Sequence, residues 1–188
     1  MKALSILAAA AVLLTGCAAQ TAAPANDSPV GSQEPTIAVS EPSGPGTYAV
    51  QLDGAEVSLE IPAQADPESV AVLKLLGVSA GSWVKATVDN RQGEQGGGVS
   101  VVGLSTAEGK RVEYVSPDSL IDGMETSKLS TEDYNRVIHW QNAQNDAGYV
   151  EAGEKAVVYL AAPEALPEFV RVDAAKGTGT QAVKATKQ

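Results

Sequence analysis

The sequence predicts a mainly β protein: an antiparallel β-sandwich of about seven strands, with two short helices inserted in its connections. Three observations lead there. Short stretches of apolar–polar alternation recur between residues 47 and 173, separated by turn-forming residues. The two helical stretches fall within connections and do not alternate with strands, which argues against a parallel sheet. Aromatic residues make up only 4% of the chain, so the core must be built from Val, Leu and Ile. A β-barrel of the lipocalin or OB kind is the alternative that satisfies the same pattern.

Each element has its own local reason. Tyr48, Val50 and Leu52 alternate with polar or small residues, and so do Val57, Leu59 and Ile61. Asp53-Gly54 between the two runs predicts a hairpin, because both central positions of that turn need positive φ. Asp66 as cap, Pro67 at the first helical position, Glu68 at the positive helix end and Gly77 as a stop predict a helix of about ten residues. A strand through Val70 to Leu76 is the competing reading. Trp83 to Asp89 sets Val84, Ala86 and Val88 against Trp83, Lys85 and Thr87, a strand with one buried face. NRQGEQGGG, residues 90–98, is too rich in glycine for regular structure and reads as a flexible hairpin loop. The next hairpin turns at Glu108-Gly109, with Val102 and Leu104 on one face and Val112 and Tyr114 on the return. Ser130-Thr131-Glu132-Asp133 places a capping hydroxyl before an acidic first turn and starts a second helix that runs to about Asn145. Tyr134, Val137, Ile138 and Gln141 follow at helical spacing, with Trp140 off that stripe. Strands over 155–161 and 169–173 close the domain.

The chain outside 47–173 carries the address. Met1-Lys2 precedes an apolar run, Ala3 to Leu14, interrupted only by Ser5. A run of about a dozen residues is short of the roughly 20 that a bilayer span needs, and with its basic start it reads as a secretory signal over 1–16. Leu14-Thr15-Gly16-Cys17 resembles the lipobox of bacterial lipoproteins. The resemblance implies cleavage before Cys17, the chain's one cysteine, and diacylglycerol on its thiol, with two acyl chains sufficing for a stable anchor. The expected partner of Cys17 is therefore the cell membrane, with the protein lipid-anchored on its extracytoplasmic face. Residues 17–46 then form the lipidated Cys and a disordered linker rich in Ala, Pro, Ser and Gly, with a statistical reach of roughly 30 Å. An early edge strand at Ile37 and Val39 is the alternative there. Residues 174–188, small, polar and mildly basic, are expected as a disordered tail.

The formal charge of −10 becomes −11 once Lys2 is removed, with 12 Lys plus Arg against 23 Asp plus Glu. Nucleic acid is a poor partner for such a chain, since phosphate binding needs a basic footprint.

Three stretches carry a second resemblance: WVKATVDNRQGEQ, VVGLSTAEGKRVEYVS and VEAGEKAVVYLAAPEALPEFVRV. Together they resemble the immunoglobulin-like (telokin-like) domain of unknown function found in many Gram-positive lipoproteins. The shared features are a strand ending in an Asn-containing turn, an acidic-Gly-Lys hairpin, and a closing pattern. That pattern is matched by Ala152-Gly153-Glu154, Val157 to Leu160, Pro163 and Phe169 to Val172. The Ala, Val and Gly richness fits a GC-rich, actinobacterial source. The resemblance implies an immunoglobulin-like β-sandwich acting as a surface-exposed binding or structural module, and it assigns no catalytic residue. Segment 116–148 departs from it by inserting a helix that carries Tyr134, His139 and Trp140.

Chemistry-bearing motifs are few. One histidine, His139, and no Gly-x-Ser-x-Gly elbow leave Ser127, Ser130 and Asp133 as weak material for a triad. A single His and no Cys in the mature domain cannot build a zinc site. Asp118, Asp122 and Glu125, or Asp89, Asn90 and Glu94, lack EF-hand spacing and read as solvated loop carboxylates. GEQGGG lacks the Lys-Ser/Thr ending of a phosphate loop. No catalytic residue, metal or cofactor is expected, and the protein reads as a binding module, not an enzyme. Its candidate contact is an exposed aromatic, Trp140, beside His139 and Arg136, facing an envelope protein or glycan. An accessory or enzyme acting on the cell envelope, or a passive spacer, are the alternative functions.

Overall fold

The turn and cap signals act locally, and they set most of the elements. The computed structural model describes residues 44–177 and 179–188, all within the compact unit Val39–Gln188. The signal over 1–16, Cys17, the linker up to residue 43 and the edge strand at Ile37 and Val39 lie outside the described residues. Asp53 and Gly54 take φ of 49° and 88°. They join β1 (Gly46–Leu52) to β2 (Ala55–Ile61) in the two-residue register Leu52↔Ala55. Asp66 accepts the Ser69 amide at 2.8 Å and starts α1 (Pro67–Leu75), so the caps decide for helix over strand. β3 (Ser82–Asp89), β4 (Val101–Ser105) and β5 (Arg111–Val115) follow. A short 3-10 turn (Pro117–Ile121) leads to α2 (Thr131–Ala147), whose first turn is capped by the Ser130 hydroxyl. β6 (Lys155–Ala162), β7 (Arg171–Ala175), β8 (Val183–Lys184) and β9 (Thr186–Lys187) complete the chain.

The strands form one antiparallel sheet, nine strands among the described residues, in the order β8-β7-β4-β5-β6-β3-β2-β1-β9. This corrects the seven-strand immunoglobulin-like sandwich to a nearly closed, barrel-like sheet. Two seams that a sandwich would leave open are bridged. At one, β5 meets β6 through the pair Val115↔Ala161. At the other, residues 183–187 lie between β7 and β1. Val183 and Lys184 pair with Ala174 and Asp173, and Thr186 and Lys187 pair with Ala49 and Tyr48. Ala185 between them is buried, and its N–H donates to the Val172 carbonyl at 2.9 Å. Residues 174–188, expected as a disordered tail, thus supply the strap that closes the sheet. Its alternation is too short to read as strand in the sequence, but both neighbouring edges offer unpaired backbone groups for it to satisfy.

Two apolar clusters divide the interior. Tyr48, Val57, Leu59, Val84, Val88, Leu104, Tyr114, Leu160 and Phe169 belong to the large one inside the sheet. The smaller lies on the opposite faces of β3 and β6, where α1 and α2 cover Trp83 and Ala161 with Val72, Leu73, Val137 and Trp140. Outside the sheet one buried charge needs a partner. Asp173 on β7 receives Arg111 of β5, with Nη1 at 2.7 Å from Oδ2 and Nη2 at 2.6 Å from Oδ1. The guanidinium crosses β4 over Gly103, where a Cβ would stand 2.1 Å from its central carbon. The pair compensates a carboxylate that would be costly to bury alone.

The strap makes a testable demand. Ala185→Glu forces a carboxylate into the apolar seam and should cost about 3 kcal/mol in urea unfolding. Val183→Lys, on the same strap but exposed, should stay within about 0.5 kcal/mol. Equal effects would show that the strap does not close the sheet.

Candidate functional site

The three expected contact residues do not share a surface. Trp140 is only 4% exposed, and its Nε1 donates to Ser69 Oγ at 3.0 Å. Ser69 Oγ in turn donates to the capping carboxylate of Asp66 at 2.6 Å. The indole therefore docks α2 onto α1 and is not an exposed partner contact. The inward stripe of α2 is Val137 with Trp140, and Tyr134 and Ile138 sit on its exposed flank. The correction has a simple cause. The helix turns towards the surface that α1 supplies, and that surface is invisible from α2's own periodicity. Arg136 spans to Glu68 on α1, donating from Nε and Nη2 to both carboxylate oxygens at 3.0 Å. His139 is exposed on the outer side of α2. Neither serine suggested for a triad bonds to it: Ser130 bonds Asp133, and Ser127 bonds Glu125. The possible calcium ligands do not converge either. Asp89 pairs with Arg91 and Lys155, Asp118 accepts from Ser116, and no group of three or more acidic, His or Cys side chains among the described residues could hold a metal ion. Cys17 lies outside the described residues.

A different site is built around Asn90, at the end of β3. Asn90 is wholly buried. Its two Nδ2 hydrogens are shared among the carbonyls of Gln95, Val150 and Glu151, at N···O distances of 2.9, 3.0 and 3.1 Å, while its Oδ1 bonds no other described residue. Its backbone N–H donates to the Glu154 carbonyl, while its own carbonyl accepts from Gly93 and Gly153. One carboxamide thus ties the glycine-rich loop to the turn that leads into β6. Gly97 and Val150 complete the tie with a two-way backbone bridge at 2.9 and 2.7 Å. The loop is therefore bonded in place, where the sequence suggested flexibility. Its glycines answer to close approach: a Cβ on Gly96 would meet the Tyr149 hydroxyl at 1.9 Å, and one on Gly98 would meet the Gly148 carbonyl at 2.3 Å.

This packing stands Tyr149, 53% exposed, against Gly96 just beyond the C-terminus of α2. Beside it opens a groove of about 310 Å³, lined by Gln144 and Asn145 from the last turns of α2 and by Ser100, Ser116 and Lys176 from three strand ends. Its polar groups are mixed in kind. Ser100 Oγ donates to the Lys176 carbonyl at 2.6 Å. Lys176 Nζ lies 3.0 Å from Asp53 Oδ2 and 3.4 Å from the Gly96 carbonyl. The side chains of Gln144, Asn145 and Tyr149 hold no hydrogen bond to another described residue. None of these residues stands out in the sequence. The available signal was the conjunction of Asn90, the clustered glycines and a tyrosine directly after Gly148, which only means something once residues 90–98 and 148–154 are known to touch.

Two expectations test this reading of the helices and loop. Arg136 holds the Glu68 carboxyl below its usual range, chiefly through their hydrogen bond. A depressed folded-state value contributes stability above the ordinary carboxylate pKa, lost as pH falls through the lower folded value. Glu68→Gln should therefore lower Tm slightly at pH 7 and make no difference in strong acid. Because both side chains are about half exposed, water screens the pair, and the effect should be under about 1 kcal/mol. Asn90→Leu removes the carboxamide donor from the Gln95, Val150 and Glu151 carbonyls, of which Val150 keeps the Gly97 N–H, and should cost about 2 kcal/mol. Hydrogen exchange should quicken at the amides of Gly93, Gly97 and Gly153; unchanged exchange there would remove Asn90 from this role. The chain matches no protein-family profile, no curated protein and no solved structure.

Proposed function

We propose that the protein is a membrane-anchored, extracytoplasmic lipoprotein that works by binding, and that the groove beside Tyr149 is its contact surface. In this reading Cys17 carries the lipid, and the domain presents a preformed site to the envelope. The address rests on the lipobox-like Leu14-Thr15-Gly16-Cys17 behind a basic start and a short apolar run. No helix among the described residues is long and apolar enough to cross a membrane. The likeness to Gram-positive immunoglobulin-like lipoprotein domains enters for role and address alone, since the strand order departs from a two-sheet sandwich.

One observation carries the choice of surface. Among the described residues Tyr149 is the most exposed of the large apolar and aromatic side chains, and it is held against Gly96 beside the amide groups of Gln144 and Asn145, which bond no other described residue. A preformed concavity with a few convergent polar groups is the usual form of a ligand site. Trp140 is buried and Arg136 is paired with Glu68, so neither presents a free group beside His139.

A photo-cross-linking residue placed at Tyr149 in living cells should trap envelope material reproducibly, whereas the same residue at His139 should trap little. Equal capture at both positions, or none at Tyr149, would defeat the assignment. Replacing Cys17 by Ser should release the protein from the membrane fraction, and mass spectrometry of the wild-type chain should find the diacylglyceryl mass on Cys17.

A further inference from the structure

We infer that the groove beside Tyr149 takes an uncharged glycan segment, with one sugar ring laid on the tyrosine and its substituents bonded by the flanking amides. The inference rests on the reading of this groove as the contact surface, and it adds the chemical class of the ligand.

The donor and acceptor inventory points there. Gln144 and Asn145 each bring a carbonyl oxygen and an NH₂ group, uncommitted to any other described residue. The Tyr149 hydroxyl both donates and accepts. Ser100 Oγ and Ser116 Oγ spend their protons on the Lys176 carbonyl and Asp118, so towards the groove they can only accept. The lining therefore mixes donors and acceptors in one groove. A ligand must answer with groups that do both, which is what hydroxyls and acetamido groups do. Unmatched buried polar groups would otherwise cost binding energy.

Charge excludes the main rivals. Lys176 is the one cation of the lining, and Asp53 at 3.0 Å neutralises it. The groove also lies at the C-terminal end of α2, where the helix dipole places partial negative charge. The whole chain carries a formal −10. Phosphate-, sulfate- or carboxylate-rich polymers meet repulsion here with no surplus cation to offset it. A protein partner would need a larger apolar anchor than one tyrosine, since interface hot spots cluster in dry, well-packed pockets. A groove of about 310 Å³ is at the small end for ligand sites, roughly 300–1,000 Å³, and so fits a short stretch of polymer and not a folded surface.

The aromatic supplies the remaining piece. Tyr149 presents an apolar ring with a polar tip, and one side of that tip is backed by Gly96. The backing limits the ring's motion, so less side-chain freedom is lost when a sugar stacks on it. Asn90 sits behind both supports, because it bonds the loop that carries Gly96 and the segment that follows Tyr149.

The test uses the intact lipidated chain in detergent against immobilised neutral oligosaccharides covering hexose and N-acetylhexosamine linkages, with polygalacturonate and a polyphosphate as anionic controls. Saturable binding to at least one neutral oligosaccharide is expected. It should weaken tenfold or more in Tyr149→Ala and Asn145→Ala, hold in Tyr149→Trp, and be unaffected by His139→Ala. It should also change little between low and high salt. The Tyr149→Trp variant should show a saturable change in fluorescence with the same sugar, a signal that a merely structural role for Tyr149 would not give. Binding only to the anionic controls, suppressed by salt, overturns the proposal. If no oligosaccharide binds but a cross-linker at Tyr149 captures a protein, the glycan class fails and the groove assignment survives. If neither occurs, both fail.

Discussion

The buried carboxamide of Asn90 is the interaction on which the site depends. It ends β3, the strand that lies beside both β2 and β6, and converts that end into a junction. Three carbonyls from two separate segments converge on its Nδ2. Buried carbonyls are expensive to leave unpaired, so the donors of this Nδ2 favour one arrangement of the two segments, even though the Oδ1 beside them bonds no other described residue. The glycine-rich loop, the bridge between Gly97 and Val150, and the seat of Tyr149 all lie within one or two bonds of it. A groove whose walls come from a helix end and three strand ends needs such a fixed corner, because none of those pieces is continuous with the others in the chain.

The helices depend on a second junction of the same type. Trp140 Nε1, Ser69 Oγ and Asp66 Oδ2 form a relay in which the cap of α1 is also the docking point of α2. Burying an indole beside an outward-facing Trp83 requires a partner for its N–H, and Ser69 supplies one while passing its own proton to the cap. The two helices therefore cover β3 and β6 as a unit, and α2 delivers its C-terminus to the groove. Of the residues the sequence offered as contacts on α2, Trp140 is the one that docks the helix, while His139 stays exposed on its outer side.

Closure of the sheet follows from edges. β1 and β7 would each end the sheet with unpaired backbone groups, and residues 183–187 satisfy both with two pairs on each side. Alanine at 185 is the residue small enough to point into that seam, where it is buried. The Arg111–Asp173 clasp across Gly103 reinforces the same half of the sheet from outside. A barrel-like closure and a sandwich share the same alternation along each strand, so strand patterning alone does not separate them.

What the sequence by itself determined lies within about four residues of each signal. The hairpin at Asp53-Gly54, the caps at Asp66 and Ser130, the turn at Glu108-Gly109 and the inward set Val84, Ala86 and Val88 are all local choices of backbone angle or of one strand face, and the structure has them. Tertiary structure decided what depends on distant partners. Trp140 is buried because Ser69, 71 residues away, meets it. Asn90 matters because Val150, 60 residues away, offers a carbonyl. The strap is a strand because two edges await it, and the glycines of residues 93–98 are contacts because Tyr149 and Gly148 press on them. Local propensity is written in neighbouring residues, whereas a pairing between remote segments is selected only when the chain closes and brings distant donors, acceptors and sheet edges together.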